Sequence, residues 1–167
     1  MAESETIFSS KVSYKGVFSF KDFYQFCYDW LTQEPEFEIA EGKYSEKIAG
    51  DSKNIDVEWS GKKDVTDYFQ YKIKVVFKIT ELKDIELNQE GVKIKTNAGK
   101  VDLSIKGDLV RDYKGKFERG ASRKFMRSIY EKWIIPSRIE QYEDKLISKC
   151  DEFLGQAKAW LDLEGKR

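Results

Sequence analysis

The sequence predicts an α+β domain in which a curved antiparallel sheet of six or seven strands packs on a long C-terminal helix. Between residues 44 and 111, apolar and polar side chains alternate with period two, which is typical of strands with one buried and one wet face. Towards the C-terminus, apolar residues instead recur in steps of three and four, as on one face of a helix. This helical stripe consists of Ile139, Tyr142, Leu146, Cys150, Phe153, Ala157 and Trp160. Sheet and stripe are the two layers of one predicted core.

The N-terminal part predicts one strand followed by one helix. Residues 6–14 alternate, and Gly16 is expected to end that strand. Ser19 has the character of an N-cap, and Pro35 cannot continue a helix, so a helix is expected over about 19–33. Its apolar face comprises Phe23, Phe26, Cys27, Trp30 and Leu31.

The middle of the chain predicts a meander. The strongest strand, 68–80, alternates throughout except at Val76. NQEG (88–91) and NAGK (97–100) have the composition of tight turns, so consecutive strands are expected to pair as hairpins. The predicted strands of this region are 44–50, 54–60, 68–80, 85–87, 92–96 and 101–110.

The C-terminal part predicts two helices with a joint. Residues 122–135 show helical spacing, Pro136 interrupts it, and Ser137 can cap a second helix that ends near 163. The last helix and the 68–80 strand would each span about 40 Å. The stripe is therefore expected to lie across the buried face of that strand. The whole chain, 1–167, is expected to be one domain, with a strand–helix–meander part (1–118) and a helical part (119–167) jointed at Pro136.

Composition removes several classes of function. The chain has no histidine, no glycine-rich phosphate loop and no CxxC pair, which excludes histidine-based catalysis and the ordinary zinc sites. We therefore expect no catalytic residue, cofactor or metal. No apolar run is long enough for a membrane span and no leader is visible, so a cytoplasmic protein with Cys27 and Cys150 as reduced, buried thiols is expected. A disulfide between the two helices that carry these cysteines is the alternative.

Two polar groups invite a functional interpretation. The segment DVTD (64–67) offers two carboxylates for a metal or for acid–base chemistry, although a solvated turn explains it more simply. A lysine-rich sheet face is formed by the even positions of the 68–80 strand, and a basic face suits phosphates. Its aromatic residues alternate to the other side, so nucleic acid is the weaker alternative. The lysines assigned to this face are Lys72, Lys74, Lys78, Lys93, Lys95 and Lys106.

The order of one strand, a helix, a meander and a long C-terminal helix resembles the helix-grip layout of the START-like superfamily, which includes polyketide cyclases and lipid-transfer proteins. The resemblance concerns layout over nearly the whole chain and rests on no short motif. It departs in having one helix after the first strand and an unusually long C-terminal helical region. The segments YDWL (28–31) and RIEQYEDKL (138–146) are also similar to uncharacterised archaeal proteins, which imply no function.

The resemblance implies binding of a hydrophobic small molecule or lipid between the sheet and the C-terminal helix. We expect this binding to be non-catalytic and place catalysis last among the functions considered. Two alternatives remain open. One is a protein-interaction or scaffold module, for instance a homodimer, that uses helices 122–163, and the other is an RNA-associated protein that uses the lysine face. The expected pocket lining is Trp59, Tyr71, Ile73, Val75, Phe77, Tyr142, Leu146, Cys150 and Phe153, with Arg111 and Tyr113 at the rim.

Overall fold

The computed structural model of the chain describes residues 3–114, 125 and 136–166. Within them the fold is α+β, as predicted, with a curved antiparallel sheet and a long C-terminal helix. None of the helices described is long and apolar enough to cross a membrane. The elements are β1 (Glu3–Val17), α1 (Phe20–Gln33), β2 (Glu38–Ala49), β3 (Ser52–Asp64), β4 (Phe69–Gln89), β5 (Val92–Arg111) and α2 (Pro136–Gly165).

The sheet has five strands, in the order β1-β5-β4-β3-β2. The prediction of six or seven strands is wrong because β4 and β5 are each one long strand where the sequence suggested two. NAGK (97–100) is not a turn: it belongs to β5 and pairs with β4 across a bulge between Thr80 and Lys83. Glu81 takes a positive φ of 53° at this bulge, which lets the strand change direction without leaving the ladder.

Two other strand boundaries also differ from expectation. Gly16 does not end β1, because the strand continues to Val17 and Gly16 pairs with Gly99. Strand β2 begins at Glu38, before the predicted strand 44–50, and pairs with β3 from Glu38 onwards. Main-chain pairing therefore extends further than side-chain alternation indicates.

Helix α1 begins as predicted. Ser19 is its N-cap, and the Ser19 side chain accepts a hydrogen bond from the amide of Asp22 at 3.4 Å. Phe23, Cys27 and Leu31 are buried on the face that the sequence assigned to the core.

Both helices cover the same face of the sheet, side by side. Phe26 stacks on Trp160 at 5.9 Å between ring centroids, and Trp30 meets Phe153 at 5.7 Å. Helix α2 contacts β1 and β5, and only its first turns reach β4. The expected position across β4 is therefore wrong for most of the stripe, because α1 occupies the space above β3 and β4. We call the opposite face of the sheet, which neither of the described helices covers, the outer face.

The middle of the stripe is buried as predicted, whereas Ile139, Tyr142 and Trp160 are partly buried. Leu146, Cys150, Phe153 and Ala157 are each at most 1% exposed, and α2 spans Pro136–Gly165 as one helix. Of the predicted helix over 122–135 the structure describes only Phe125, which is helical and exposed; the other residues of 122–135, with the joint preceding Pro136, lie outside the described residues.

Candidate functional site

Most of the expected pocket lining forms a closed core. Trp59 is 1% exposed, and its ring packs on Tyr24 and Phe77 at 5.0 and 4.7 Å between centroids, under α1 rather than α2. The Trp59 Nε1–H donates to the Tyr24 hydroxyl at 3.3 Å, which satisfies the buried indole. Ile73, Val75, Phe77, Cys150 and Phe153 are likewise buried in the hydrophobic cluster between the sheet and the two helices. Aromatic side chains therefore fill much of the space between sheet and helices in which a ligand pocket was expected.

An open cavity remains at one end of this core. It has a volume of about 310 Å³ and lies between the α1–β2 connector, the sheet and α2. Tyr71 and Leu146 are the predicted site residues that line it, and Phe37 extends its apolar wall. Volumes of roughly 300–1,000 Å³ are usual for small-molecule sites, so this cavity is at the small end. Its complete lining is Glu34, Pro35, Glu36, Phe37, Lys63, Tyr71, Lys145, Leu146 and Lys149.

Three lysines and two glutamates lie around the cavity. Lys63 Nζ donates to the Pro35 carbonyl oxygen at 2.9 Å and lies 3.8 Å from the Glu36 carboxylate. Lys149 pairs with Glu152 on α2 at 3.6 Å. Lys145 takes no part in the ion pairs found among the described residues. The cavity thus has an apolar wall and a rim with one more ammonium group than carboxylate groups.

The Tyr71 hydroxyl joins the sheet to α2 beside the cavity. It donates to the main-chain oxygen of Tyr142 at 2.7 Å. Burial, and secondarily the neighbouring Tyr142, raises the pKa of Tyr71 to about 12, so the hydroxyl keeps its proton at neutral pH. Tyr142 itself is half-buried, with its ring 5.2 Å from that of Phe69. Tyr71 therefore holds the helix in position and is poorly suited to acid–base catalysis.

The two cysteines are free and buried. Burial raises the pKa of Cys150 to about 12 and that of Cys27 well above its ordinary value. Neither thiol is a ready nucleophile, because reactivity needs the thiolate.

The two expected rim residues lie elsewhere. Arg111 pairs with Glu5 at 3.5 Å, at the β1 side of the sheet. Tyr113 donates its hydroxyl hydrogen to the Thr66 carbonyl oxygen at 2.8 Å, in the β3–β4 connection. Neither residue lines the cavity described above.

The DVTD segment (64–67) is occupied by local contacts. Asp64 accepts from the Gln70 amide at 2.7 Å, and Asp67 pairs with Lys114 at 3.1 Å. The part of the chain that the structure describes contains no group of three or more potential metal ligands. The simpler interpretation, a polar turn, accounts for these contacts.

The lysine face is divided between the two sides of the sheet. Lys74 lies directly opposite Lys106 on the outer face, as the sequence suggested. Lys93 and Lys95 lie on the other side of β5, the side that carries Val101 and Leu103. The expectation of one continuous lysine face is therefore wrong for these two residues. Because β5 is one uninterrupted strand, all its odd-numbered residues, Lys93 and Lys95 included, lie on the same side.

No protein-family model matches the chain, and a search of curated proteins returned no significant match. The kind of ligand that the cavity could bind is therefore inferred from the residues that line it. Sequence reasoning missed Phe37, Lys63, Lys145 and Lys149, which come from three separate elements. The available signal was the four-residue spacing of Lys145 and Lys149, which places both beside Leu146 on one flank of α2.

Proposed function

We propose that the protein binds a small amphipathic anion, such as a short-chain or medium-chain carboxylate, in the cavity between the α1–β2 connector and α2. The observation that carries this proposal is the combination of an apolar wall with the lysine-rich rim. The anionic group would sit between Lys145 and Lys149, and the alkyl part would lie on Phe37 and Leu146. The helix-grip interpretation belongs to the same proposal and is supported by the order of the elements.

The size of the cavity limits the ligand. A long-chain lipid needs more than about 310 Å³, and the adjoining core is filled by Phe77 and Phe153. Most of the binding energy would come from apolar burial, at about 25 cal/mol per Å² before ordering costs. A partly solvated ion pair at the rim would add about 1 kcal/mol or less. We therefore expect dissociation constants in the micromolar to millimolar range.

Thermal unfolding with a matched ligand series tests the proposal. Octanoate should raise Tm, whereas octanol and octylamine, which have the same chain and a different head group, should raise it less. At a hundredfold excess over Kd the stabilisation is about 2.7 kcal/mol. For a chain of this size that corresponds to roughly 5–10 °C.

Matched lysine variants locate the site. K145S and K149S should each weaken octanoate binding, whereas K47S on β2 removes the same charge outside the cavity lining and should not. Absence of any shift with hexanoate, octanoate and alkyl phosphates would remove the basis of the proposal. Equal shifts with K145S and K47S would place the ligand elsewhere.

A further inference from the structure

The β4–β5 hairpin extends beyond the rest of the sheet. β3 pairs with β4 as far as Lys83, and β1 pairs with β5 as far as Ala98. Residues 84–97 consequently pair with one another as a two-stranded arm, except that the Asn97 main-chain oxygen at its base also accepts a hydrogen bond from the Phe18 amide at 3.0 Å. At about 3.3 Å per residue, each strand of the arm reaches roughly 20 Å past its neighbours. We call residues 84–97 the β arm.

The two faces of the β arm differ in polarity. The Asn97 side-chain oxygen accepts from the Phe20 amide at 3.1 Å, and its NH₂ donates to Asp84 at 2.7 Å, so these side chains are on the helix side. Alternation places Glu86, Lys93 and Lys95 on that side as well. The opposite side carries Ile85, Leu87, Val92 and Ile94.

This apolar face is exposed at its tip. Val92 is 61% exposed and Ile94 is 40% exposed, although both are aliphatic. Ile94 lies directly opposite Leu87. Four aliphatic side chains thus form a continuous patch on a projecting element, a feature that marks interaction sites more often than chance exposure does.

The same side of the sheet continues into a band of lysines. Lys83 lies opposite Ala98. Lys15 lies opposite Lys100, and two like charges in directly opposite positions destabilise a pair of strands. Lys100 is 3.9 Å from Asp102 in a solvent-exposed pair of little energetic value. We define the lysine band as Lys15, Lys78, Lys83 and Lys100, all of which are exposed.

We propose that the apolar face of the β arm and the lysine band dock together on an anionic lipid bilayer. Aliphatic side chains beside basic ones suit the boundary between acyl chains and phosphate headgroups. A second copy of this chain is a poor occupant of a symmetric contact, because two lysine bands would face each other. Nucleic acid is also disfavoured, since no described strand residue exposes an aromatic ring for base stacking on this side.

Acidic residues oppose this docking, among them Asp56 and Asp102, which lie opposite Lys78 on the two neighbouring strands. Glu90 lies at the turn of the β arm with a φ of 52°, and its carboxylate would approach an anionic surface. E90Q should therefore strengthen binding rather than leave it unchanged. This gives a variant that gains affinity, which a merely damaged fold would not produce.

Vesicle sedimentation with the full chain tests the proposal. Binding is expected to phosphatidylcholine vesicles that contain phosphatidylserine and not to pure phosphatidylcholine vesicles, and salt should weaken it. Removing Lys83 and Lys100 in K83S/K100S should lower affinity roughly 25-fold, at about fivefold per lysine. V92S/I94S should lower it at least about tenfold through lost apolar burial.

The matched control is K93S/K95S, which removes two lysines from the other face of the same β arm. It changes net charge as K83S/K100S does, so an equal loss would overturn the assigned orientation. Absence of binding to both vesicle types would overturn the proposal, as would equal binding to both. Binding of duplex RNA that depends on Lys83 and Lys100 but not on Val92 and Ile94 would replace the bilayer with nucleic acid. Thermal unfolding of each variant verifies that it is folded.

Discussion

The sheet and α2 approach each other closely at Gly107, and this contact supports a quantitative prediction. A Cβ atom built on Gly107 would lie 3.1 Å from Cys150 Sγ and 3.4 Å from Leu146. Both neighbours belong to the buried face of α2, so the added methyl group of G107A requires these side chains, or the helix that carries them, to move by a few tenths of an ångström. Overpacking of this kind costs about 1–3 kcal/mol of stability. Replacing a strand glycine with alanine stabilises by roughly 0.5–1 kcal/mol, because less backbone entropy is lost on folding.

We therefore expect G107A to lower the free energy of unfolding by about 1 kcal/mol. C150A alone should also destabilise, because it removes a buried side chain. In the double variant the new methyl group enters the space that the sulfur leaves, so the combined loss should be at least about 1 kcal/mol smaller than the sum of the single losses.

Urea unfolding, monitored by tryptophan fluorescence, gives the free energy of unfolding of the unchanged protein, the two single variants and the double variant. The matched control is G155A on α2, where a Cβ would meet nothing within 4 Å. An exposed helical glycine replaced by alanine should stabilise by about 0.5–1 kcal/mol. Additivity of G107A and C150A within about 0.5 kcal/mol, or a stabilising G107A, would refute the placement of α2 over β5.

Three further predictions concern single groups. Y71F removes the hydrogen bond from the Tyr71 hydroxyl to the main-chain oxygen of Tyr142 and should cost about 0.5–1.5 kcal/mol in urea unfolding; no loss would contradict the bond. The thiols of Cys27 and Cys150 have raised folded-state pKa values, so their contribution to stability is complete below about pH 8 and falls at higher pH as the unfolded thiols ionise. The decline is expected to be about 1.4 kcal/mol per pH unit for each thiol above pH 9, and C27A/C150A should flatten the profile; an unchanged slope would contradict this account. S19A should cost about 0.5–2 kcal/mol and lower helicity by circular dichroism, and a loss below about 0.3 kcal/mol would exclude a working N-cap.

Local patterns in the sequence predicted the elements correctly where the chain repeats one period without interruption. The stripe of α2 and the buried face of α1 follow from helical spacing, and Ser19 follows from capping chemistry. The strand count was wrong because Asn and Gly in NAGK (97–100) have turn composition, whereas the bulge at Glu81 lets them pair in a strand.

The candidate cavity could be predicted only in part. Tyr71 and Leu146 were identified because each lies on a buried face of a strongly periodic element. Phe37, Lys63 and Lys145 come from a connector, a strand end and a helix flank, and only the fold brings them together. The periodicity of a segment predicts which of its own residues are buried, but not which residues of two other segments lie beside them.

The sequence alone determined the α+β class, the helical stripe, the capped first helix and the absence of histidine chemistry, because each depends on neighbouring residues or on composition. The tertiary structure decided which strand each helix covers, that Trp59 and Phe77 fill the core instead of lining a pocket, and that residues 84–97 project from the sheet. These features depend on how far main-chain pairing continues and on how large side chains share one volume, and both are properties of distant residues in contact.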